Sequence, residues 1–256
     1  MEFSLLGAAA MGVAGLWLTV RFLDRDGSLT HDAPAAFDRL LGAAMVGLAT
    51  GRLWAILEAG TNPFAHPLDL FLIRAGVDTL GATLGATVAL VWSNRRRLPR
   101  ALDASAAPVA AGLAGWHAGC LVRGACLGTP TDLPWAVTAG AVGRHPVEVY
   151  AAVGLVVVAV VAATLWRRAL PGTATWFGVA GIAGVRLLTE PLRLHLGGGR
   201  VGFYALGLAF GVIGLVASQA RQRSGAPQPK TDQHGDELAE DEHDPEHHQE
   251  RRRREP

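Results

Sequence analysis

Long apolar segments alternate with short polar segments along most of the chain. A membrane-spanning helix needs roughly 17–25 predominantly apolar residues. The pattern predicts seven such helices, at about residues 3–20, 40–59, 70–92, 105–122, 148–166, 173–189 and 201–220. The first begins MEFSLLGAAAMG without a basic region before it, so we interpret it as a retained helix rather than a signal peptide. The predicted fold is all-α: an integral membrane protein with about seven transmembrane helices, formed by residues 1–220.

The distribution of arginine predicts the orientation. Arginines follow the first, third, fifth and seventh apolar segments, at Arg21, Arg25, Arg39, Arg95, Arg96, Arg97, Arg100, Arg167, Arg168, Arg221 and Arg223. The loop after the second segment, AGTNPFAHP, contains neither Lys nor Arg. Because basic loops remain on the cytoplasmic side, the N-terminus is predicted to lie outside and the C-terminus in the cytoplasm.

The C-terminal segment differs from the rest in composition. Half of all residues are hydrophobic, yet residues 221–256 are almost free of them and hold a large share of the charged side chains. Such a segment cannot bury enough apolar surface to offset the entropy of ordering, and we predict a disordered cytoplasmic tail. We interpret its histidines as solvated. The formal net charge of +1 gives no indication of nucleic-acid binding.

Small residues predict how the helices pack. The segments GATLGA and GVAGIAGV place small side chains one turn apart, which lets helices approach closely. Cys120 and Cys126 lie among Gly and Ala, in a spacing that matches neither a disulfide framework nor a metal motif. We interpret both cysteines as small apolar packing residues.

Ionisable residues inside the apolar segments are candidates for function, because each costs several kcal/mol unless it is paired or hydrated. These residues are Arg52, Arg74, Asp78, His117, Arg186 and Glu190. Two pairs, Arg74 with Asp78 and Arg186 with Glu190, have the four-residue spacing that places both side chains on one helix face. Simple ion pairing explains the first pair as well as function does. The second is followed by Arg193, which we expect to remain without a compensating acid.

The loops predicted to face outward retain arginines against the topological bias, at Arg123, Arg144, Arg193 and Arg200. Arginines that converge on an outward-facing cavity would form an anion site, most simply for a phosphate, which guanidinium groups bind in a bidentate manner. The segment RHPVEVY also places polar side chains at the entrance of the fifth helix.

Four segments in order resemble motifs of the prolipoprotein diacylglyceryl transferase family, over about residues 3–220. RHPVEVYAA resembles the family's Arg-His-Pro-x-Gln/Glu-x-Tyr box, GCLVRGACLGTPTDLPWAV its glycine-rich signature, and RLLTEPLR its Arg-x-x-x-Glu-x-x-Arg segment. AGVDTLGATLG is similar to the glycine-rich motif of the third span, and Arg52 fits the arginine of the second span.

This resemblance implies a multi-pass enzyme of the bacterial plasma (inner) membrane. It would transfer a diacylglyceryl group from phosphatidylglycerol to the thiol of the lipobox cysteine in a prolipoprotein signal peptide, and would release glycerol 1-phosphate. The implied partners are this phospholipid and this peptide, with no nucleic acid. The reaction requires no metal or organic cofactor.

The site expected from the residues and the resemblance has a catalytic part and a substrate-binding part. The catalytic candidates are His117, Glu190 and Asp78. The substrate-binding candidates are Arg186, Arg144, Arg193, Arg52, Gly128, His145, Glu148 and Tyr150.

Three departures from the family pattern leave a second hypothesis open. Leu80 stands where the family carries a histidine, His117 where it carries an arginine, and Thr129 replaces another arginine. His117 is a candidate base for the thiol, or else a packing residue beside Trp116, and Asp78 is the other proton acceptor considered. The alternative function is that of a catalytically impaired relative, which binds phospholipid or lipoprotein in the membrane.

Overall fold

Seven α-helices lie at the seven apolar segments in a computed structural model that describes residues 3–25, 33–60, 77–119, 127–168, 171–194 and 200–224. They are α1 (Phe3–Arg25), α2 (Ala33–Glu58), α3 (Thr79–Ser93), α4 (Leu98–Ala118), α5 (Val147–Arg167), α6 (Thr173–Thr189) and α7 (Val201–Ser224). A one-turn 3-10 helix, Glu190–Leu192, directly follows α6. The all-helical prediction is confirmed for the described part of the chain.

The helix boundaries differ from the apolar segments at two places that matter for function. The side chain of Asp78 caps α3, which therefore begins at Thr79; residues 70–76 lie outside the described residues. Helix α7 continues to Ser224, so residues 221–224 are helical although we predicted them to belong to the disordered tail. The sequence QARQRS explains the extension, because Gln, Ala and Arg have high helix propensity. Residues 225–256 lie outside the described residues.

The outer surfaces of the helices are apolar. Within the described residues, three helices are long and apolar enough to cross a bilayer: Pro34–Glu58, Val147–Arg167 and Val201–Ser224. Helix α5 exposes a row of valines that includes Val153, Val157 and Val160. Continuous exposed apolar surface of this kind marks a face that contacts lipid or another apolar partner. The number of spans and the orientation of the termini stay predictions.

Glycines bring neighbouring helices into close contact. A Cβ atom at Gly85 of α3 would lie 1.9 Å from the Oγ1 of Thr50 in α2, and one at Gly181 of α6 would lie 2.8 Å from the side chain of Val158 in α5. These glycines belong to GATLGA and GVAGIAGV, so both segments pack as predicted. Helix α1 packs on α4, and α4 packs on α5 and α6.

A short β-hairpin precedes α5 and was not predicted. Strands β1 (Val137–Ala139) and β2 (Val142–Arg144) pair in antiparallel register around Gly140, which adopts a φ of 68°. Only glycine takes this conformation without strain. The loop before β1 runs beside β2, because the Thr131 N–H donates to the Gly143 carbonyl at 2.9 Å. The hairpin therefore fixes the entrance of α5 at one end of the bundle.

We predict that Gly115→Ala lowers the melting temperature of the detergent-solubilised protein. A Cβ atom at position 115 would lie 2.1 Å from the carbonyl oxygen of Met11, so α1 and α4 would have to separate. The matched control is Gly42→Ala in α2, where nothing lies within 4 Å of the added atom. The control should stabilise by roughly 0.5–1 kcal/mol, because Gly is unfavourable inside a helix. Equal melting temperatures for the two variants would contradict the packing.

Candidate active site

Polar side chains from α4, α5, α6, α7 and the 3-10 helix, and from the residues just before α3 and α7, meet at one end of the bundle. We call them the buried charge network. Its members are Asp78, His117, Glu148, Arg186, Glu190, Arg193, Arg200 and Tyr204.

His117 and Glu148 form a polar contact between α4 and α5. His117 lies in the last turn of α4 and Glu148 in the first turn of α5, and their side chains are about one tenth exposed or less. The Nδ1 of His117 is hydrogen-bonded to Oε2 of Glu148. With its proton on Nδ1, the imidazole donates to the carboxylate and keeps the lone pair of Nε2 for another group.

Arg193 joins this pair to the 3-10 helix. Its Nη2 donates to Oε1 of Glu148, and its Nη1 lies 3.9 Å from Oε2 of Glu190. Our expectation that Arg193 lacks a compensating acid is therefore wrong. The main partner belongs to a different helix, 45 residues away in the chain, where local spacing gives no indication of it.

Arg186 and Glu190 form the ion pair that their spacing predicts. Oε2 of Glu190 lies 3.5 Å from Nη2 of Arg186, and the Glu190 side chain is 3% exposed. The hydroxyl of Tyr204 in α7 accepts hydrogen bonds from Nη2 of Arg186 at 3.2 Å and from its Nε at 3.4 Å. These contacts fix the plane of the guanidinium group.

The remaining nitrogen of Arg186 is the most informative atom of the site. Nη1 is buried and has no hydrogen-bond partner within the described residues. Buried polar groups are almost always hydrogen-bonded, and a charged donor left without an acceptor is especially costly. Its natural complement is an oxyanion such as a carboxylate or a phosphate oxygen.

Asp78 connects α3 to the segment before α7. Its Oδ1 accepts the N–H of Gly81 at 2.8 Å, and its Oδ2 pairs with Nη2 of Arg200. The backbone N–H of Arg200 donates to Oε1 of Glu190 at 3.1 Å, which joins this pair to the rest of the network. Arg74, the partner considered for Asp78, lies outside the described residues.

Arg52 lies in α2, next to the residue that contacts the backbone of Asp78. It is 4% exposed and follows Gly51, whose carbonyl accepts the N–H of Asp78 at 3.0 Å. Further along α2, Glu58 lies 3.8 Å from Arg200 and accepts a hydrogen bond from Trp54. We did not predict Glu58 and Tyr204 as site residues, because neither belongs to a motif or to a local charge pair.

The RHPVEVY segment is divided between two environments, since only Glu148 joins the network. Nη1 of Arg144 donates to the carbonyl of Gly128 at 3.2 Å. The hydroxyl of Tyr150 accepts from Nε1 of Trp135 at 2.8 Å and lies 3.4 Å from Nδ1 of His145. Arg144, His145 and Tyr150 therefore hold the loop and hairpin against α5, and their role in substrate binding stays a prediction.

Gly128 allows this loop to pack between two parts of the site. A Cβ atom there would lie 2.2 Å from the side chain of Val147 and 2.3 Å from the carbonyl oxygen of Leu192. The neighbouring Thr129 N–H donates to the same Leu192 carbonyl at 2.8 Å. Only a residue without a side chain fits at position 128, so the glycine-rich segment has a direct structural function.

A bundle of apolar helices with a buried charge network at one end defines a helical membrane protein with an internal polar site. The sequence profile of the prolipoprotein diacylglyceryl transferases matches residues 2–220, and the chain belongs to this family. The resemblance inferred from the motifs is confirmed.

The curated relatives carry the name phosphatidylglycerol–prolipoprotein diacylglyceryl transferase. The protein of Cereibacter sphaeroides is 32% identical over 222 residues, which cover 75% of this chain and 76% of the relative. That of Methylococcus capsulatus is 30% identical over 234 residues, covering 83% and 89%. That of Rhizobium meliloti is 30% identical over 245 residues, covering 84% and 86%.

We predict that Glu148→Gln strongly destabilises the protein. The substitution leaves Arg193 and His117 without their carboxylate in a buried position, and breaking a buried ion pair from one side costs about 3–5 kcal/mol. The matched control is Glu58→Gln, because Glu58 is mostly exposed and its contact with Arg200 is worth at most about 1 kcal/mol. Thermal unfolding in detergent measures both, and an unchanged melting temperature for Glu148→Gln would contradict the network.

Proposed function

We propose that this protein transfers a diacylglyceryl group from phosphatidylglycerol to the thiol of a lipobox cysteine and releases glycerol 1-phosphate. The observation that carries the proposal is Nη1 of Arg186, a buried cationic donor in a fixed plane that has no acceptor among the described residues. The names of the relatives specify an anionic phospholipid as the donor, which agrees with a site built for an oxyanion.

Arg186 is the residue we assign to the phosphate. Glu190 and Tyr204 occupy its Nη2 and Nε, so Nη1 is the atom that donates to a phosphate oxygen. In the reaction the thiol sulfur forms a bond to the glyceryl carbon that carries the phosphate, and the carbon–oxygen bond breaks. The bonding electrons leave with glycerol 1-phosphate. Arg186 stabilises the negative charge that develops on this leaving group.

His117 is the residue we assign as the base. A cysteine thiol with its ordinary pKa near 8.5 is mostly protonated at neutral pH, and a thiolate is the stronger nucleophile. Glu148 holds Nδ1 of His117, so Nε2 is the nitrogen that accepts the thiol proton. Glu148 acts here as a positioning residue, and Arg193 fixes Glu148 in turn.

Asp78 is a weaker candidate for the base than His117. Both of its carboxylate oxygens are engaged, one by the N–H of Gly81 and the other by Arg200. Glu190 is similarly occupied by Arg186 and by the backbone of Arg200. We therefore propose that Asp78 holds Arg200 in place and that Glu190 holds Arg186 in place. Arg52 is buried in the same region of the bundle.

The proposed setting is the bacterial plasma (inner) membrane, with seven spans, an outer N-terminus and a cytoplasmic C-terminus. This orientation places the buried charge network at the outer end of the bundle, where phosphatidylglycerol enters from the bilayer and the signal peptide presents its cysteine. No metal or organic cofactor takes part in the reaction as written.

The second candidate function is lipid or lipoprotein binding without catalysis. The pairing of His117 with Glu148 favours it, because the same contact stabilises the bundle even without a reaction. The departures at Leu80 and Thr129 point in the same direction. Nη1 of Arg186, which lacks an acceptor in the described part of the chain, fits both functions, so turnover is the property that separates them.

We predict that His117→Ala lowers turnover by a factor of about 10² or more, the typical contribution of a general base. The assay combines purified protein, phosphatidylglycerol liposomes and a synthetic lipobox peptide, and it follows the release of glycerol phosphate. The affinity for phosphatidylglycerol should stay unchanged in this variant. Wild-type turnover in His117→Ala would remove His117 from the mechanism, whereas lipid binding without turnover in the wild-type protein would favour the second candidate.

We predict that Arg186→Ala weakens the binding of phosphatidylglycerol itself. It removes the Nη1 donor, and Arg186→Lys should not restore affinity because an ammonium group lacks the planar donor geometry. Arg168→Ala is the control, since Arg168 is exposed beyond the end of α5 and outside the network. Lipid affinity that is equal in Arg186→Ala and Arg168→Ala would refute the assignment.

A further inference from the structure

A second polar site lies at the opposite end of the bundle. A cleft of about 580 Å³ is bounded by the ends of α1, α3 and α5 and by the beginnings of α2 and α4. Five arginines line it: Arg39, Arg95, Arg96, Arg97 and Arg100. We call it the arginine cleft.

The cleft has a strong excess of positive charge. The lining residues include no Asp or Glu, and within the described part of the chain none of the five arginines forms an ion pair with an acid. Arg95 instead makes a cation–π contact with Trp92, whose ring centroid lies 4.8 Å from the guanidinium carbon. Like charges crowded together repel one another, so an anion bound among them is favoured.

One of the lining residues carries a buried donor. Nε1 of Trp166, one of the lining residues, is buried and has no acceptor among the described residues. A buried indole N–H normally finds a hydrogen-bond partner. Helix α4 begins at Leu98 without a side-chain cap, so its first backbone N–H groups also lie at this end of the bundle. The cleft thus combines charged and neutral donors.

The rest of the lining is mixed, with polar side chains at Ser93, Asn94 and Ser105 and apolar side chains elsewhere. Val20, Leu40, Leu90 and Pro108 line the cleft, and the outer face of α3 continues from it with Val88 and Trp92 exposed. Inorganic phosphate would make no use of this apolar surface, whereas a phospholipid would place its headgroup among the arginines and an acyl chain along α3.

The arginine cleft is separate from the buried charge network. Helix α5 carries Glu148 in its first turn and Trp166 in its last, which are about 27 Å apart at 1.5 Å per residue. A single headgroup cannot occupy both places. In the predicted orientation the arginine cleft lies at the cytoplasmic side, where anionic lipids attract basic segments.

We propose that the arginine cleft binds the phosphate headgroup of an anionic phospholipid at the end of the bundle opposite the proposed active site. Arg39 and Arg100 supply charged donors from α2 and α4, and Trp166 supplies a neutral donor from α5. The lipid ties together three helices of the bundle. This proposal depends on neither the catalytic activity nor the role of Arg186.

Native mass spectrometry of the full-length protein in detergent tests the proposal by titration with phosphatidylglycerol, with phosphatidylcholine as the neutral comparison. The double variant Arg39→Gln/Arg100→Gln should lose at least tenfold in affinity for the anionic lipid, since two charge-assisted hydrogen bonds are removed. The matched control Arg168→Gln removes a charge at the same end of the bundle but outside the cleft, and it should retain the wild-type affinity. All variants are made in an Arg186→Ala background, so that any lipid at the buried charge network affects each of them equally.

A second variant keeps every charge. Trp166→Phe removes only the indole donor and should weaken phosphatidylglycerol binding about fivefold, the effect of one hydrogen bond. If the arginine double variant fails to fold, the affinity of Trp166→Phe for phosphatidylglycerol tests the proposal instead. Equal affinity of Trp166→Phe, the double variant and Arg168→Gln would overturn the proposal. Retention of phosphatidylcholine as strong as that of phosphatidylglycerol, or displacement of the lipid by millimolar inorganic phosphate, would overturn it too.

Discussion

The free-energy cost of placing a charged side chain away from water is the main constraint on this structure. Each ionisable group at membrane depth requires a partner of opposite charge or a strong hydrogen bond. Here the partners come from different helices: His117 of α4 meets Glu148 of α5, and Asp78 before α3 meets Arg200 before α7. These pairs form only when the helix ends meet, so the same contacts that lower the free-energy cost of the charges also specify how the bundle assembles.

The apolar pattern and the small residues predicted most of the fold. Seven segments became seven helices in the described residues, and GATLGA and GVAGIAGV pack where close approach was expected. These predictions succeed because helix formation depends on local sequence and because small side chains show directly where a neighbouring helix can approach. The β-hairpin before α5 was missed, since its strands have three residues each and follow a turn at Gly140 rather than a long alternating pattern.

The candidate site was predictable only in part. Arg186 with Glu190 followed from spacing within one chain segment, and the RHPVEVY segment identified Glu148. The partner of Arg193 could not be inferred, because an ion pair between helices depends on tertiary packing. The pairing of Asp78 with Arg200 joins residues 122 positions apart and shows the same limit. Arg144 donates to the backbone of Gly128, a contact that its motif did not predict, and its role in substrate binding stays a prediction.

The proposed roles of the two ends of the bundle differ in their chemistry. In the buried charge network the described arginines are paired with acids, and Nη1 of Arg186 lacks an acceptor among the described residues, which suits a single oriented phosphate group. In the arginine cleft the positive charges are not neutralised by acids of the described residues, which suits the retention of a lipid rather than a reaction. The proposed reaction uses a lipid at the buried charge network only, and the proposed lipid in the arginine cleft has a separate, anchoring role.

The most direct test of the central claim is an experimental structure of the protein with phosphatidylglycerol bound. We expect a phosphate oxygen within about 2.7–3.2 Å of Nη1 of Arg186, the distance of an N–H···O hydrogen bond. We also expect Nδ1 of His117 to remain bound to Glu148. A headgroup located elsewhere, with Nη1 of Arg186 still lacking an acceptor, would contradict the claim that the buried charge network is built around a phosphate.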